Sequence, residues 1–249
     1  MKWNPSLYDE KHGFVAEYGK SLLELIPRNP DQTILDLGCG TGALTRQLLP
    51  LASRVAGADS SPDMIRQAQS QNPGIEFLVC DALDLPFREE WDVVFSNAVF
   101  HWIGDHDGLL ESIRRALKPQ GLLVCEFGAR GNIGAVEAGF AQAAKELGYT
   151  YRPKFNFPSP EDFRRRLETH GFLPQEVYAY DRPTVLSDGE QGLRNWMVQF
   201  YASELAAIPA DLHPALFRRA EELARPALWN GTEWVADYRR LRVVARKGE

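Results

Sequence analysis

Cysteine is scarce in this chain, and the spacing of the cysteines excludes a disulfide framework and a cysteine-based metal site. The three cysteines, Cys39, Cys80 and Cys125, are odd in number, lie far apart and form no CxxC pair. Each lies in or next to an apolar run that is typical of a β-strand. We therefore expect three reduced, buried thiols and no metal site.

Long hydrophobic runs are also missing. No segment approaches the roughly 18 consecutive apolar residues that a membrane-spanning helix requires. Residues 1–5 lack the apolar core of a signal peptide. These two absences predict a cytoplasmic protein with no membrane partner.

Basic residues are in deficit. The 249 residues include 28 Lys and Arg against 34 Asp and Glu, which gives a net charge of −6. This balance disfavours a nucleic-acid partner, because such binding depends on neutralising phosphates. It leaves room for a local basic pocket that binds an acidic small molecule. The length of 249 residues predicts one domain over 1–249, and the 44% of hydrophobic residues supply its core. We expect a monomer or homodimer.

Short apolar runs alternate with amphipathic stretches through the first half of the chain. The amphipathic stretches span 43–51, 63–70 and 107–117. The apolar runs predict five strands, at 33–37, 54–58, 75–79, 91–95 and 121–127. Near-continuous apolar strands that alternate with helices predict a doubly wound, mostly parallel sheet covered by helices on both faces.

The second half adds two strands separated by a helical stretch. Residues 171–180 predict a sixth strand, and residues 234–246 predict a long closing strand, which makes seven. Residues 182–231 between them have helical patterns. An insertion of that length is usually a lid or a binding cap. We therefore expect a helical cap over the carboxyl ends of the strands.

A glycine-rich motif follows the first predicted strand. Residues 36–42 read Asp-Leu-Gly-Cys-Gly-Thr-Gly, and glycines there let backbone N–H groups approach a ligand closely. Asp59 ends the second strand, where a carboxylate can accept both hydroxyls of a ribose. Asp81 follows the third strand, and Asn97 and His101 follow the fourth. All of these side chains are predicted at the carboxyl edge of the sheet, where open α/β folds bind ligands.

The glycine spacing separates two classes of cofactor. A dinucleotide fingerprint has its third glycine three residues after the second, whereas Gly42 follows Gly40 by two. Asp36 precedes the loop, and its charge would repel a pyrophosphate but attract an ammonium or sulfonium group. These features predict a nucleoside cofactor with a cationic tail. A nicotinamide-dependent oxidoreductase and a cofactor-binding module without turnover are the alternatives from other classes.

Several segments resemble class I S-adenosylmethionine-dependent methyltransferases, which have a Rossmann-like fold. Residues 36–42, 57–65 and 80–82 resemble motifs one to three of that class, and the match extends through 95–98 and 117–121. Residues 3–8, 59–62 and 105–106 are similar to trans-aconitate methyltransferases. One departure is Gln120, which stands where many members of the class have glycine.

The resemblance implies S-adenosyl-L-methionine as the cofactor and assigns roles to individual residues. Gly38 and Gly40 would face its methionine portion, with Asp36 receiving the ammonium. Asp59 would hold the ribose hydroxyls, and Met64 would pack on the adenine. The full set of cofactor-binding residues that the resemblance implies is Trp3, Tyr8, Asp36, Gly38, Gly40, Asp59, Ser60, Met64, Asp81, Ala82 and Asn97.

The resemblance gives further detail at the adenine and at the N-terminus. Asp81 would accept a hydrogen bond from the adenine amine, with backbone polarity from Ala82 beside it. Trp3 and Tyr8 would belong to an N-terminal helical lid over residues 1–30.

The methyl acceptor is predicted less specifically, as a small and acidic molecule. A carboxylate acceptor needs no base because it is ionised at neutral pH. A hydroxyl or carbon acceptor needs one, and His101 is then the candidate catalytic residue. The candidate substrate-binding residues are Trp102, Arg152, Arg182, Arg194 and Trp196, because guanidinium groups suit carboxylates. Among the arginines, Arg194 beside Trp196 is the first choice.

Overall fold

The computed structural model describes residue 19 and residues 21–249. The strands are β1 (Thr33–Leu37), β2 (Arg54–Asp59), β3 (Glu76–Val79), β4 (Trp91–Asn97), β5 (Leu117–Gly128), β6 (Phe172–Asp181), β7 (Thr184–Val185), β8 (Val235–Ala236) and β9 (Arg239–Lys247). The α-helices are α1 (Thr45–Leu48), α2 (Pro62–Gln71), α3 (His106–Ala116), α4 (Gly134–Glu146), α5 (Pro160–Thr169), α6 (Gly192–Phe200), α7 (Ala202–Leu205) and α8 (His213–Leu228).

Seven of these strands form one sheet, in the order β3-β2-β1-β4-β5-β9-β6. The pairs β3–β2, β2–β1, β1–β4 and β4–β5 are parallel. Helices lie between β1 and β2, between β2 and β3 and between β4 and β5, whereas a loop joins β3 to β4. The chain reverses its direction of winding at β1. The predicted mostly parallel, doubly wound sheet of Rossmann-like type is therefore confirmed, as are its five strands in the first half.

The central strands are buried because most of their residues on both faces of the sheet are apolar. Ile34 and Leu35 of β1 are fully buried, and Asp36 at the end of the strand is buried with them. On one face, Ile34, Phe95 and Val124 belong to a single hydrophobic cluster. Burial of each such side chain stabilises the fold by roughly 1.5–3 kcal/mol. This packing holds the carboxyl ends of β1, β4 and β5 at fixed spacing.

Side-chain caps mark the starts of α2 and α3. Ser61 accepts a hydrogen bond from the Met64 N–H at 3.4 Å, and Pro62 occupies the first helical position of α2. Asp105 accepts one from the Gly108 N–H at 2.9 Å at the start of α3. An oxygen at this position satisfies an amide that has no partner within the helix. Each helix therefore starts directly after a strand end or turn that also borders the site.

The prediction of one continuous closing strand over 234–246 is wrong. Val235 and Ala236 pair antiparallel with Thr184 and Val185 in a separate two-stranded sheet, and β9 starts only at Arg239. Between them, the Asp237 carboxylate accepts a hydrogen bond from the Ala135 N–H at 2.8 Å, at the start of α4. The apolar pattern continues through this point, but the helix cap diverts the backbone and ends the pairing.

The chain divides into two compact units. The first comprises the described residues up to Gly128, together with Pro158–Ala179 and Leu241–Glu249. The second comprises Ala129–Phe157 and Tyr180–Arg240. In the second unit α4 packs against α8, where a Cβ on Gly139 would lie only 3.0 Å from the Ala220 carbonyl oxygen. This unit contains residues 182–231, whose role as a cap over the strand ends stays a prediction.

Candidate functional site

A cavity of about 600 Å³ lies at the carboxyl edge of the parallel strands, within the first unit. Residues at and after the ends of β1, β2, β3 and β4 line it, which is where open α/β sheets bind their ligands. Nine of the predicted site residues lie along its wall: Gly38, Gly40, Asp59, Ser60, Met64, Asp81, Ala82, Asn97 and Trp102.

The glycine loop after β1 packs closely against Val99 and is hydrogen-bonded to β2. Gly38 has a φ of +76°, and a Cβ there would lie 2.2 Å from the Val99 side chain. Its N–H donates to the Ala58 carbonyl at 2.7 Å, which fixes the loop to β2. Gly40 also has a positive φ, of +55°, but a Cβ there would meet open space. Only glycine fits both the conformation and the space at Gly38, and the loop therefore presents bare backbone to the cavity.

The carboxylate of Asp59 holds the loop and the following helix together. Its Oδ2 accepts from the Gly40 N–H at 3.1 Å, and its Oδ1 accepts from the Ser61 N–H at 2.8 Å. Burial raises the pKa of Asp59 above its usual value, and the backbone hydrogen bonds oppose that rise. Each carboxylate oxygen can accept a further hydrogen bond. Asp59 lines the cavity, so two hydroxyl donors of a ligand could bind it.

Asp36 lies behind the cavity wall, next to the lining residue Leu37. Its side chain is buried, and its Oδ2 accepts a hydrogen bond from Thr45 Oγ1 at 2.6 Å. Burial raises the pKa of Asp36 to about 7, the Thr45 hydrogen bond opposes the rise, and the charge of Asp59 adds to it. A cation placed near Asp36 would offset this unfavourable burial of a carboxylate.

Two further residues of the cavity lining are Met64, which is apolar and buried, and Asp81, which has an exposed carboxylate. Met64 of α2 is 4% exposed and lines the wall with its thioether side chain. Asp81 is exposed, and its Oδ1 accepts from the Leu83 N–H at 2.9 Å. A flat ring between these groups would have an apolar contact on one side and a hydrogen-bond acceptor at its edge. This arrangement is compatible with the adenine role that the resemblance implies for both residues.

His101 lies in the 3₁₀ turn Phe100–Trp102 and is buried. Its Nδ1 accepts a hydrogen bond from the Gly128 N–H at 3.3 Å. An Nδ1 that accepts must carry a lone pair, so the neutral ring has its proton on Nε2 and acts there as a donor. The geometry thus favours hydrogen-bond donation by His101 over proton abstraction at Nε2. Its role as a catalytic base stays a prediction.

The other predicted substrate residues, apart from Trp102, lie in the second unit. Arg194 makes a two-pronged contact with Glu221, with N···O distances of 2.9 and 2.7 Å. Trp196 is buried, and its Nε1 donates to the Tyr238 hydroxyl at 2.7 Å. Arg182 is half-buried and its backbone N–H donates to the Tyr238 carbonyl at 2.7 Å. Arg152 is exposed. Trp3 and Tyr8 lie outside the described residues.

Sequence reasoning missed several residues that shape the site. Val99 closes over Gly38, and Ala98 has a left-handed φ of +62° while its N–H donates to the Glu126 carbonyl at 2.7 Å. His106 donates through Nε2 to the Phe100 carbonyl at 2.9 Å and so holds the turn that carries Trp102. Ala98 and Val99 directly follow the predicted Asn97, which was the available signal for both. The contact of His106 depends on tertiary structure.

Two structural absences hold for the described part of the chain. Within residue 19 and residues 21–249, no helix combines the length and the apolar character needed to traverse a bilayer. Over the same residues, no group of three or more His, Cys, Asp or Glu side chains is arranged to hold a metal ion.

Comparison with known proteins gives one consistent result. A family model described as a methyltransferase domain matches residues 35–125, which contain the glycine loop and three further strand ends. An uncharacterized methyltransferase of Schizosaccharomyces pombe is 32% identical, over 98% of this chain and 98% of its own length. A trans-aconitate 2-methyltransferase of Escherichia coli is 39% identical over 130 residues, which is 50% of each chain.

A solved structure of similar fold is geranyl diphosphate C-methyltransferase of Streptomyces coelicolor A3(2), in complex with Mg²⁺, geranyl diphosphate and S-adenosyl-L-homocysteine. It aligns with a TM-score of 0.58 at 14% identity, covering 95% of this chain and 80% of that chain. At this identity the likeness concerns the fold.

Substitution Asp59→Ala should weaken binding of S-adenosylhomocysteine by at least about 1.5 kcal/mol, roughly tenfold in Kd, because it removes a charged acceptor. Isothermal calorimetry measures the change. Asp63→Ala is the matched control. It also removes a carboxylate from the cavity wall, but the Asp63 carboxylate makes an ion pair with Arg66 on its own helix. Equal Kd values for wild type and Asp59→Ala would remove Asp59 from the ligand site.

The affinity for S-adenosylhomocysteine should rise about tenfold between pH 6 and pH 8, because the ligand's ammonium favours ionised Asp36 and the unliganded carboxyl has a pKa of about 7. Calorimetry across this range tests it, and Asp36→Asn should give a flat profile. A wild-type profile as flat as that of Asp36→Asn would contradict the assignment.

The Asp36→Asn variant without ligand should also unfold at a higher temperature than wild type at pH 8. The pKa of Asp36 is higher in the folded than in the unfolded protein, so its ionisation destabilises the fold as the pH rises from the unfolded-state value to about 7 and beyond.

Proposed function

This chain belongs to the S-adenosylmethionine-dependent methyltransferases, and from that premise we propose that it methylates a small-molecule acceptor, with O-methylation of a carboxylic acid such as trans-aconitate as the favoured reaction. The observation that carries the proposal is the cavity at the carboxyl edge of β1, β2, β3 and β4, lined by Asp59 and Asp81. The 39% identity to a trans-aconitate 2-methyltransferase over half of each chain supports the choice of acceptor.

The residues of the cavity fit the cofactor's chemistry. Gly38 and Gly40 leave backbone surface for its methionine portion, and Asp36 provides a carboxylate for its ammonium. The two oxygens of Asp59 can accept from the ribose hydroxyls, while Met64 contacts the adenine. When bound, S-adenosylmethionine supplies an electrophilic methyl group on a sulfonium centre.

Positioning and exclusion of water are the protein's main tasks in this reaction. A carboxylate acceptor is ionised at neutral pH and needs no base. Holding it at attack distance can supply several kcal/mol of the barrier reduction. Because the charges of carboxylate and sulfonium cancel during transfer, a dry site favours the transition state over the separated ions. His101, with its proton on Nε2, would donate a hydrogen bond in this scheme rather than remove a proton.

A second candidate reaction is C- or O-methylation of another metabolite, with His101 as base. It requires the neutral ring to move its proton from Nε2 to Nδ1, so that Nε2 has a lone pair, and the hydrogen bond from the Gly128 N–H to Nδ1 is then lost. The contact of His101 with Trp102 supports this second reaction, because Trp102 lines the cavity and His101 therefore lies close to it.

The acceptor-binding residues are also part of the proposal. Arg152, Arg182 and Arg194 supply guanidinium groups in the second unit, and Trp196 supplies a rigid aromatic surface. Arg194 makes its ion pair with Glu221 through the same fork geometry that would suit an acidic acceptor. The monomeric or homodimeric state and the cytoplasmic location stay predictions.

Incubating the protein with S-adenosylmethionine and a panel of small carboxylic acids that includes trans-aconitate should give a methyl ester, detected by mass spectrometry. Hydroxyl-bearing and activated-carbon acceptors form the second half of the panel. Asp59→Ala protein at a subsaturating S-adenosylmethionine concentration is the control, because activity of this protein should then fall about tenfold and contaminating activity should not. Product only from the second half would replace the carboxylate reaction by the His101-dependent one. Cofactor binding with no product from either half would indicate a binding module without turnover.

Arg194→Ala should raise the KM for the acid that gives product, because a guanidinium is lost, and should leave the Kd of S-adenosylhomocysteine unchanged. Steady-state kinetics and calorimetry measure the two. Glu221→Gln is the matched control, since it breaks the ion pair and keeps Arg194. If both substitutions lower the unfolding temperature alike and neither changes KM, Arg194 is structural.

A further inference from the structure

We propose that Thr45 is a positioning residue, which orients Asp36 and keeps it ionised for the cofactor's methionine ammonium. This inference rests on the proposed function, because it requires that ammonium to lie beside Asp36. Thr45 does not line the cavity, and neither the sequence motifs nor the family match assigns it a role. It is the first residue of α1, directly after the glycine loop.

The contact between Thr45 and Asp36 is short and fully enclosed. Thr45 Oγ1 donates to Asp36 Oδ2 at 2.6 Å, Thr45 is 0% exposed and Asp36 is 2% exposed. A hydrogen bond to a charged acceptor in such an environment is among the stronger ones in proteins. It fixes the rotation of the carboxylate, because one oxygen must stay on the Thr45 hydroxyl.

Among the residues that the structure describes, the neighbouring groups of β2, the glycine loop and β4 do not lower the pKa of Asp36. From β2, Asp59 brings a second negative charge, which opposes ionisation of Asp36. From the loop, Cys39 contributes a thiol whose pKa is raised by burial and by the charges of Asp36 and Asp59, so it stays neutral. From β4, the register partner is the apolar Phe95, and Ser96 donates its hydroxyl to the Leu37 carbonyl instead.

Three causes therefore set the pKa of Asp36: its burial, the charge of Asp59 and the hydrogen bond from Thr45. Burial and the charge of Asp59 both raise its pKa, and the Thr45 hydroxyl lowers it. Without that hydroxyl the carboxyl would hold its proton to a higher pH and would lose its fixed orientation. A protonated Asp36 offers no charge to an ammonium, so cofactor affinity near neutral pH would fall.

The test compares Thr45→Val, which keeps the shape and removes the hydroxyl, with Thr45→Ser, which keeps the hydroxyl. S-adenosylhomocysteine binding is measured by calorimetry from pH 6 to pH 9. If the pKa of Asp36 rises by about one unit, the loss of affinity in Thr45→Val is about fivefold larger at pH 7 than at pH 9, where Asp36 is ionised in both proteins and only the loss of its orientation remains. The ligand's own titration cancels in this ratio. Thr45→Ser should follow the wild-type profile.

Thr33→Val is the matched control. Thr33 lies at the opposite end of β1, where its hydroxyl donates to Asp92 Oδ2 at 2.9 Å. It removes the same kind of threonine–aspartate hydrogen bond away from the cavity, and it should leave the pH profile of binding unchanged.

Two results would overturn the role of Thr45. One is a Thr45→Val affinity equal to wild type at every pH, and the other is an equal loss at every pH in both Thr45→Val and Thr45→Ser. If Thr45→Val does not fold, the substitution is repeated in Asp36→Asn protein, which has no charge to maintain, and any further loss of affinity there also overturns it. Wild-type protein that fails to bind S-adenosylhomocysteine at any pH would instead overturn the proposed function.

Discussion

The hydrogen bonds from Gly40 and Ser61 to the Asp59 carboxylate are the contacts on which the rest of the site depends. They join the end of β2 to the loop after β1 and to the start of α2. Parallel pairing of β1 with β2 places these backbone amides at one edge of the sheet. A single side chain thereby sets the distance between two segments that line the cavity, and it keeps lone pairs for a ligand's hydroxyl groups.

Buried negative charge is the second feature of the site. Asp36 is buried and Asp59 is half-buried, and burial raises the pKa of each carboxyl. Such an arrangement is costly while the cavity is unliganded, since a desolvated carboxylate needs partners. A ligand that carries an ammonium and a sulfonium offsets that cost. Under the proposed function, the cofactor's ammonium accounts for the carboxylate of Asp36, whose charge would repel the pyrophosphate of a dinucleotide.

Local signals were sufficient for the strands and helices around the site. The runs at 33–37 and 91–95 are mostly apolar on both faces, and a short run of this kind between turn signals is typical of a strand covered on both sides. Ser61 before Pro62 predicted the start of α2, because a hydroxyl cap followed by proline suits a helix N-terminus. The same reasoning failed at 234–246, where the pattern is continuous but a carboxylate at Asp237 caps α4 and interrupts the strand.

The sequence by itself determined the parallel sheet, the glycine loop and the acidic side chains at its carboxyl edge, because strand ends and tight turns depend on residues close in the chain. Tertiary structure alone decided the contact of Thr45 with Asp36, the closure of Val99 over Gly38 and the pairing of Arg194 with Glu221. It also set the tautomer of His101 through the Gly128 N–H. These contacts join residues 9 to 61 positions apart, and no local pattern encodes such distances, since packing of whole elements brings the partners together.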